Sequence, residues 1–393
     1  MLVVPQGRET TTQGAYRMNT TIRRITLPDH RRILMISDIH GHADGLRTIL
    51  DKARFSPDDV LIIVGDLIEK GPQSLKTIRL VMELFRTHTV YPLMGNVDLW
   101  RWEFFTEQRG PDWQRMADYA INAKSWWGSS LLHEMCEEMG EPLTRETDMD
   151  ALLPRVRKHF REEINFLGSL PTILETQNMI FVHGGIPHER LEELDGTDAF
   201  PLLKFDDFYN AGLSFRKTVV AGHWPTVLCS RTYPTYFPIV DRERRVICLD
   251  GACGVKTEGQ LNLLTVPDWE SEDYTLYTWD DLPRITALDA QASSPREEAR
   301  YIPWNDHAVE LIEKGDEVSR VLYHGKPMTV PTQYIFDHNG VLSCIDTTDY
   351  ELEVRPGDRL SLILKLNYGC FVKKDSVSGW YFGRYKTNEV NEP

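Results

Sequence analysis

Six side chains could carry the chemistry of this 393-residue sequence: Asp38, His40, Asp66, Asn96, His183 and His223. All are oxygen or imidazole donors, and each follows a short apolar run. Ile33-Leu-Met-Ile36 leads into Ser37-Asp-Ile-His-Gly-His42, and Val60-Leu-Ile-Ile-Val64 into Gly65-Asp66. Val90-Tyr-Pro-Leu-Met94 leads into Gly95-Asn-Val-Asp98, Met179-Ile-Phe-Val182 into His183-Gly-Gly185, and Thr218-Val-Val-Ala221 into Gly222-His223. One Asp-x-His pair means little, because such side chains often satisfy a loop backbone. A whole set at successive run ends is different, since burying so many polar groups without a shared partner is costly. Two metal ions resolve that cost, with one carboxylate bridging them.

The elements that must position these donors follow from the same pattern. Each run is too short for a helix and suits a buried strand. A further run, Arg245-Val-Ile-Cys-Leu249, ends at Asp250-Gly251. Helical periodicity over 43–53 and 73–85 separates the first strands. Alternating strands and helices imply an α/β sheet, which places ligands at strand C-terminal ends. Residues 99–174 break the rhythm and hold five of the ten tryptophans: Trp100, Trp102, Trp113, Trp126 and Trp127. That segment is expected to be a helical insertion, with helices over 113–123 and 153–166.

The domain reading is a flexible lead-in over 1–31, a catalytic domain over 32–285, a linker over 286–300 and a β module over 301–393. In the last of these, Gly315-Asp-Glu-Val-Ser-Arg-Val-Leu322 aligns with Gly357-Asp-Arg-Leu-Ser-Leu-Ile-Leu364. Each copy puts a Gly-Asp turn before a strand-like run, and a small SH3-like barrel is expected. The module should fold independently, add no metal ligand, and contact a peptide or protein through Trp380, Tyr381 and Phe382.

The formal charge of −15 argues against broad nucleic-acid binding, which needs a cationic face. It leaves phosphate substrates open, because a metal supplies positive charge locally. No apolar run approaches the ~20 residues of a spanning helix, so no membrane role is expected. The six cysteines are scattered without a Cys-x-x-Cys, which fits reduced thiols and a cytoplasmic location.

Taken together, Asp38-x-His40-Gly41, Gly65-Asp66, Gly95-Asn96, His183-Gly-Gly185 and Gly222-His223-x-Pro225 resemble the calcineurin-like metallophosphoesterase superfamily. Within it the likeness is to the phosphoprotein phosphatase branch, which includes symmetrical diadenosine tetraphosphatases. The block Gly65-Asp-Leu-Ile-Glu-Lys-Gly-Pro-Gln-Ser-Leu75 is similar to the tetraphosphatase form. The resemblance covers roughly residues 32–267. It implies two packed β-sheets flanked by helices and two divalent ions, with manganese the expectation and iron or zinc also compatible. Asp38, His40 and Asp66 would hold one ion, and Asp66, Asn96, His183 and His223 the other. A hydroxide bridging the ions would then attack phosphorus in line with the leaving oxygen.

Two departures bear on mechanism. The family usually follows the metal-binding Asn with a His that protonates the leaving group, and Val97 stands there. The usual Asp-Arg-Gly reads Glu69-Lys70-Gly71, so Lys70 would meet phosphate as a point charge and not as a fork. Losing a general acid matters least for acidic leaving groups such as anhydrides and aryl esters. His42 is a candidate replacement donor, and Asp66, Glu69 and Lys70 complete the catalytic set implied. The competing reading is a binding or regulatory protein on a weakened phosphatase fold.

Overall fold

The apolar runs are strands, all but the one at Thr89–Pro92 buried on both faces. A computed structural model describes residues 18–106 and 113–387. In its first half come β1 (Ile22–Arg24), β2 (Ile33–Ile36), α1 (Ala43–Lys52), β3 (Val60–Ile63), α2 (Ser74–Thr87) and β4 (Thr89–Pro92). Five helices follow: α3 (Asn96–Phe105), α4 (Trp113–Trp127), α5 (Leu131–Glu138), α6 (Met149–His159) and α7 (Arg161–Gly168). Then come β5 (Ile173–Glu175), β6 (Met179–Val182), β7 (Thr218–Ala221), β8 (Ile239–Asp241), β9 (Val246–Cys248), β10 (Leu261–Val266) and β11 (Thr275–Trp279).

These strands form two sheets, ordered β1-β5-β6-β7-β9-β8 and β11-β10-β2-β3-β4. Side chains alternate across each strand, so every central strand serves two cores. Ile33, Met35, Val60 and Ile62 meet Leu174, Phe181, Val220 and Ile247 between the sheets. On the outer face of one sheet, Leu34, Ile36, Leu61 and Ile63 pack with Leu46, Ile49, Ile78 and Val81 of α1 and α2. The insertion's Leu99, Phe104, Ala120, Leu132 and Leu167 join that core, as do the half-buried Trp100, Trp102 and Trp113. The result is the expected pair of sheets flanked by helices. The expected helix over 153–166 is two helices, since Phe160 at φ −104°, ψ 33° ends α6 before α7 begins.

β2, β3 and β4 run parallel, as do β6, β7 and β9. Their C-terminal ends therefore gather the loops that carry the donors. Part of the expected flexible lead-in lies outside the described residues, but 22–24 does not fray. It pairs in parallel with β5, and Arg24 reaches Glu175 at 2.9 Å. A basic triplet can form an edge strand when its neighbour supplies the acid.

The described residues divide into two compact units. The first runs to Trp224 and resumes over Pro238–Val255 and Leu261–Trp279. The second takes Pro225–Phe237, Lys256–Gln260 and the described residues from Asp280 onward. So the second unit is more than a tail. Inside it the Tyr236 amide donates to the Ser376 carbonyl at 2.8 Å, and Lys373 Nζ to the Glu258 carbonyl at 2.6 Å. Strand 284–287, across the expected boundary between catalytic domain and linker, pairs with 359–365 and 385–387. The two Gly-Asp copies do lead into strands, at 318–323 and 359–365, but in different sheets. No closed barrel is found among the described residues; the strands form open sheets over two separate cores. Trp380 and Tyr381 are 2% and 0% exposed and fill the interior, whereas Phe382 is exposed.

No helix among the described residues is long and apolar enough to cross a membrane.

Because 225–237 and 256–260 belong to the second unit, a chain ending at Pro295 removes most of the unit they pack into, including the Ser376 and Lys373 contacts. Its melting temperature should fall by roughly 5 °C or more, at about 2–4 °C per kcal/mol for domains of this size. Differential scanning calorimetry checks this, and an unchanged first transition would contradict it.

Candidate metal centre

Tight backbone turns bring the strand-end donors together. Asp38, His40, Asp66, Glu69, Lys70 and His223 all adopt left-handed φ between 45° and 64°, a conformation that is costly outside glycine. Gly65 (φ 78°) and Gly95 supply the close approaches. A Cβ on Gly95 would lie 2.1 Å from the Asp66 amide nitrogen, and one on Gly65 would lie 2.7 Å from His183 Nδ1.

Asp66 is the centre of the cluster. His40 Nε2 lies 3.5 Å from its Oδ2, and His183 Nε2 lies 3.3 Å from its Oδ1. Each imidazole donates its other nitrogen to a backbone carbonyl: His40 Nδ1 to Ile68 at 3.1 Å, His183 Nδ1 to Val64 at 2.8 Å. That turns both Nε2 atoms toward the carboxylate, the outer bond pattern of metal-ligating histidines. The amide of Val97, in the first turn of α3, donates to Asp66 Oδ1 at 2.9 Å, where helix N-termini favour negative charge.

The other donors surround this core. Asp38 Oδ1 is 3.9 Å from His40 Nε2, and Asn96 Oδ1 is 3.0 Å from His183 Nε2. The His223 amide donates to Asp38 Oδ2 at 3.1 Å, and its ring centroid is 5.4 Å from that of His183. Ligand atoms of Asp38, His40 and Asp66 lie within 4.8 Å of one another, a group that could hold a metal ion.

The electrostatics of the pocket set its donors apart from ordinary surface groups. Burial lifts the Asp38 carboxyl to about 6 against the pull of His183, and it lifts Asp250 well above the carboxylate range with Asp38 adding to the effect. Burial also opposes ionisation of Asp66, yet His183, His40 and Lys70 hold it below the usual range. His183 is driven to about 10, against its own burial, by Asp66 and Asp38. Burial drops His40 to about 3, with Lys70 adding to it, and His223 to about 4, with His183 adding to it. Buried carboxylates stand beside imidazoles, of which burial keeps His40 and His223 neutral, and this mixed oxygen and nitrogen set fits a divalent ion.

Other predicted residues sit differently. Lys70 Nζ lies 3.3 Å from His40 Nε2, at the centre's edge. His42 donates toward the Ile39 carbonyl at 3.1 Å, and a Cβ on Gly254 would touch both its ring (3.1 Å) and Lys70 (3.5 Å). Glu69 is committed elsewhere. Its Oε1 lies 2.8 Å from Nε of Arg101, both side chains fully buried. The Arg101 N–H groups are not aimed at the oxygen, so this is an ion pair and not an aligned hydrogen bond. Trp100, Phe104 and Tyr119 cover the guanidinium at 5.0–5.6 Å.

The sequence reading passed over four participants. Asp98 accepts from the Gly95 amide at 3.0 Å and the Leu67 amide at 2.9 Å, tying two donor loops together. Asp206 holds His223 Nε2 at 2.7 Å. Asp250 obeys the strand-end rule that found the others, and Arg101 anchors Glu69.

The model of the calcineurin-like phosphoesterase family matches residues 31–236, more than half of the sequence. The chain belongs to the calcineurin-like phosphoesterase family. A symmetrical bis(5'-nucleosyl)-tetraphosphatase of Photobacterium profundum is 42% identical over 66 residues, 16% of this chain and 23% of that protein. The chain therefore spans less than a quarter of that relative. Its counterpart in Shewanella frigidimarina is 25% identical over 258 residues, covering 64% of this chain and 79% of the relative. Serine/threonine-protein phosphatase 2 of Salmonella typhimurium is 34% identical over 101 residues, 25% of this chain and 42% of the relative. A solved serine/threonine phosphatase from Saccharomyces cerevisiae aligns over 67% of this chain and 84% of its own, at TM-score 0.41 and 12% identity, too distant to add to the assignment.

For this calcineurin-like phosphoesterase, Arg101→Met should lower stability by about 3–5 kcal/mol, because it leaves the Glu69 charge buried alone. Adding Glu69→Gln should restore part of that loss. Urea unfolding of the single and double variants measures both, and additive losses would contradict the pairing.

Proposed function

We propose that the chain is a metal-dependent phosphoesterase that hydrolyses phosphoric esters or anhydrides having acidic leaving groups, at a site for two divalent ions. One observation carries the reading: the two oxygens of Asp66 face two different imidazoles, His40 and His183. Asp66 would join both ions, with Asp38 and His40 completing one set and Asn96, His183 and His223 the other. Manganese is the metal proposed. Bound ions would neutralise phosphoryl oxygens and acidify the attacking water.

The chain's own residues set the rest. Asp98 and the Val97 amide fix Asp66 so that it need not reorganise during reaction. Lys70 and His42, sharing the Gly254 wall, are the groups proposed to face substrate. Lys70 supplies a fixed positive charge to a phosphoryl oxygen. The Val97 side chain has no proton to give, which favours leaving groups that depart as stable anions. Phosphoric anhydrides have such leaving groups. The relatives' names, tetraphosphatase among them, agree with this class.

Rates across a series of aryl phosphates on manganese-loaded protein test the reading. They should climb steeply with leaving-group acidity, and a flat dependence with chemistry rate-limiting would contradict it. Val97→His alone should not flatten the slope, because Arg101 already holds the carboxylate that would orient the new imidazole. Val97→His combined with Arg101→Met should flatten it and raise turnover of alkyl phosphates.

A further inference from the structure

Within the second unit, two exposed rings are held in a fixed arrangement. Tyr368 is 43% and Phe382 44% exposed, and their rings meet edge to face at 5.4 Å and 88°. Trp380 supports both, perpendicular to Tyr368 at 5.2 Å and parallel to Phe382 at 6.2 Å. Trp380 is itself buried, its indole N–H donating to the Thr348 carbonyl at 2.8 Å. The Tyr368 amide donates to Glu317 Oε2 at 3.2 Å, and the Asn367 side chain to Glu317 Oε1 at 2.6 Å. A Cβ on Gly369 would come 2.6 Å from the Phe382 ring, so the backbone also closes on it. Surface rings ordered in advance lose little freedom when something binds them.

The charge around them is unbalanced. Other rings carry cations of the chain itself: Arg244 over Tyr209 at 4.1 Å, Arg296 over Tyr233 at 4.8 Å, Lys365 over Tyr385 at 5.9 Å. Among the described residues no cation lies over Tyr368 or Phe382. Glu317 touches this pair, and the Glu351 backbone bridges to Trp380. Neither carboxylate has an ion-pair partner among the described residues, whereas Asp349 is neutralised by Arg300 at 2.8 Å. Burial, then Glu351 and Asp349, push the Tyr368 phenol upward, which places those charges near the ring.

We propose that Tyr368 and Phe382, flanked by Glu317 and Glu351, form a docking seat for an arginine side chain presented by an extended segment of another protein. A guanidinium lies flat on an aromatic face while its edge forks to a carboxylate, which an ammonium cannot do. The seat is open, so a free cation would stay hydrated; a tethered one gains contacts along its backbone. A second copy of this chain is a poor occupant, because a symmetric contact would press Glu317 and Glu351 against their own kind.

The test is fluorescence anisotropy of a labelled Gly-Ser peptide carrying spaced arginines, titrated with the full chain at low and physiological salt. Binding is expected. Phe382→Leu and Tyr368→Leu, which keep bulk and charge but remove the π face, should each weaken it at least about fivefold. Glu351→Gln should weaken it and flatten its salt dependence, while Glu146→Gln, the same charge change in the insertion, should not. Phe382→Tyr should bind like the parent, separating loss of the ring from loss of fold, and a lysine peptide should bind more weakly. Equal binding by the leucine variants would overturn the proposal in favour of general attraction to an acidic chain. A dimer seen by light scattering and dissolved by Phe382→Leu would also overturn it.

Discussion

A buried carboxylate between two imidazoles is the constraint on which the rest depends. Asp66 sits 2% exposed with His40 on one oxygen and His183 on the other. Such a group is costly to bury. Its surroundings repay that cost in two ways: a helix N-terminal amide, and imidazoles fixed by backbone carbonyls. The left-handed turns at Asp38, His40, Asp66 and His223 are the conformational side of the same demand. Strain of this kind persists only where surrounding structure over-determines it. Here two sheets and their filled core do so.

The sandwich makes that over-determination possible. Strands buried on both faces cannot slip register without moving an entire apolar set, so each loop leaves its strand at a defined place. Loops from β2, β3 and β4 meet loops from β6, β7 and β9 because parallel strands end on the same side. The helical insertion adds its own hold. Arg101 reaches from α3 to Glu69, fixing the turn that carries Lys70. A residue well outside the donor loops thus shapes the centre's edge, and it removes Glu69 from direct service there.

Much of this was legible in the chain because the signal was local. A β-branched run ending in Asp, His or Asn marks both strand and donor, so Asp38, His40, Asp66, Asn96, His183 and His223 could be named together. Asp250 gave the same signal and was read only as a strand end. Asp206 could not be found that way, since it lies in a loop and reaches His223 only in the folded chain. The Glu69–Arg101 pair joins residues 32 positions apart through a helix whose orientation no local pattern specifies. The second unit was harder still. Its strands show in alternation, but sheet closure depends on pairing between distant strands. Segments 225–237 and 256–260 read as continuous with the catalytic chain.

The central claim is that Asp66 serves two ions at once. Its most direct test is manganese stoichiometry on chelator-stripped protein, by calorimetric titration and elemental analysis, for the parent, Asp66→Asn and Asp38→Asn. The account predicts two ions per chain in the parent, retention of one ion by Asp38→Asn, and loss of both by Asp66→Asn. A parent that binds a single ion, or an Asp66→Asn variant that still binds two, would contradict it.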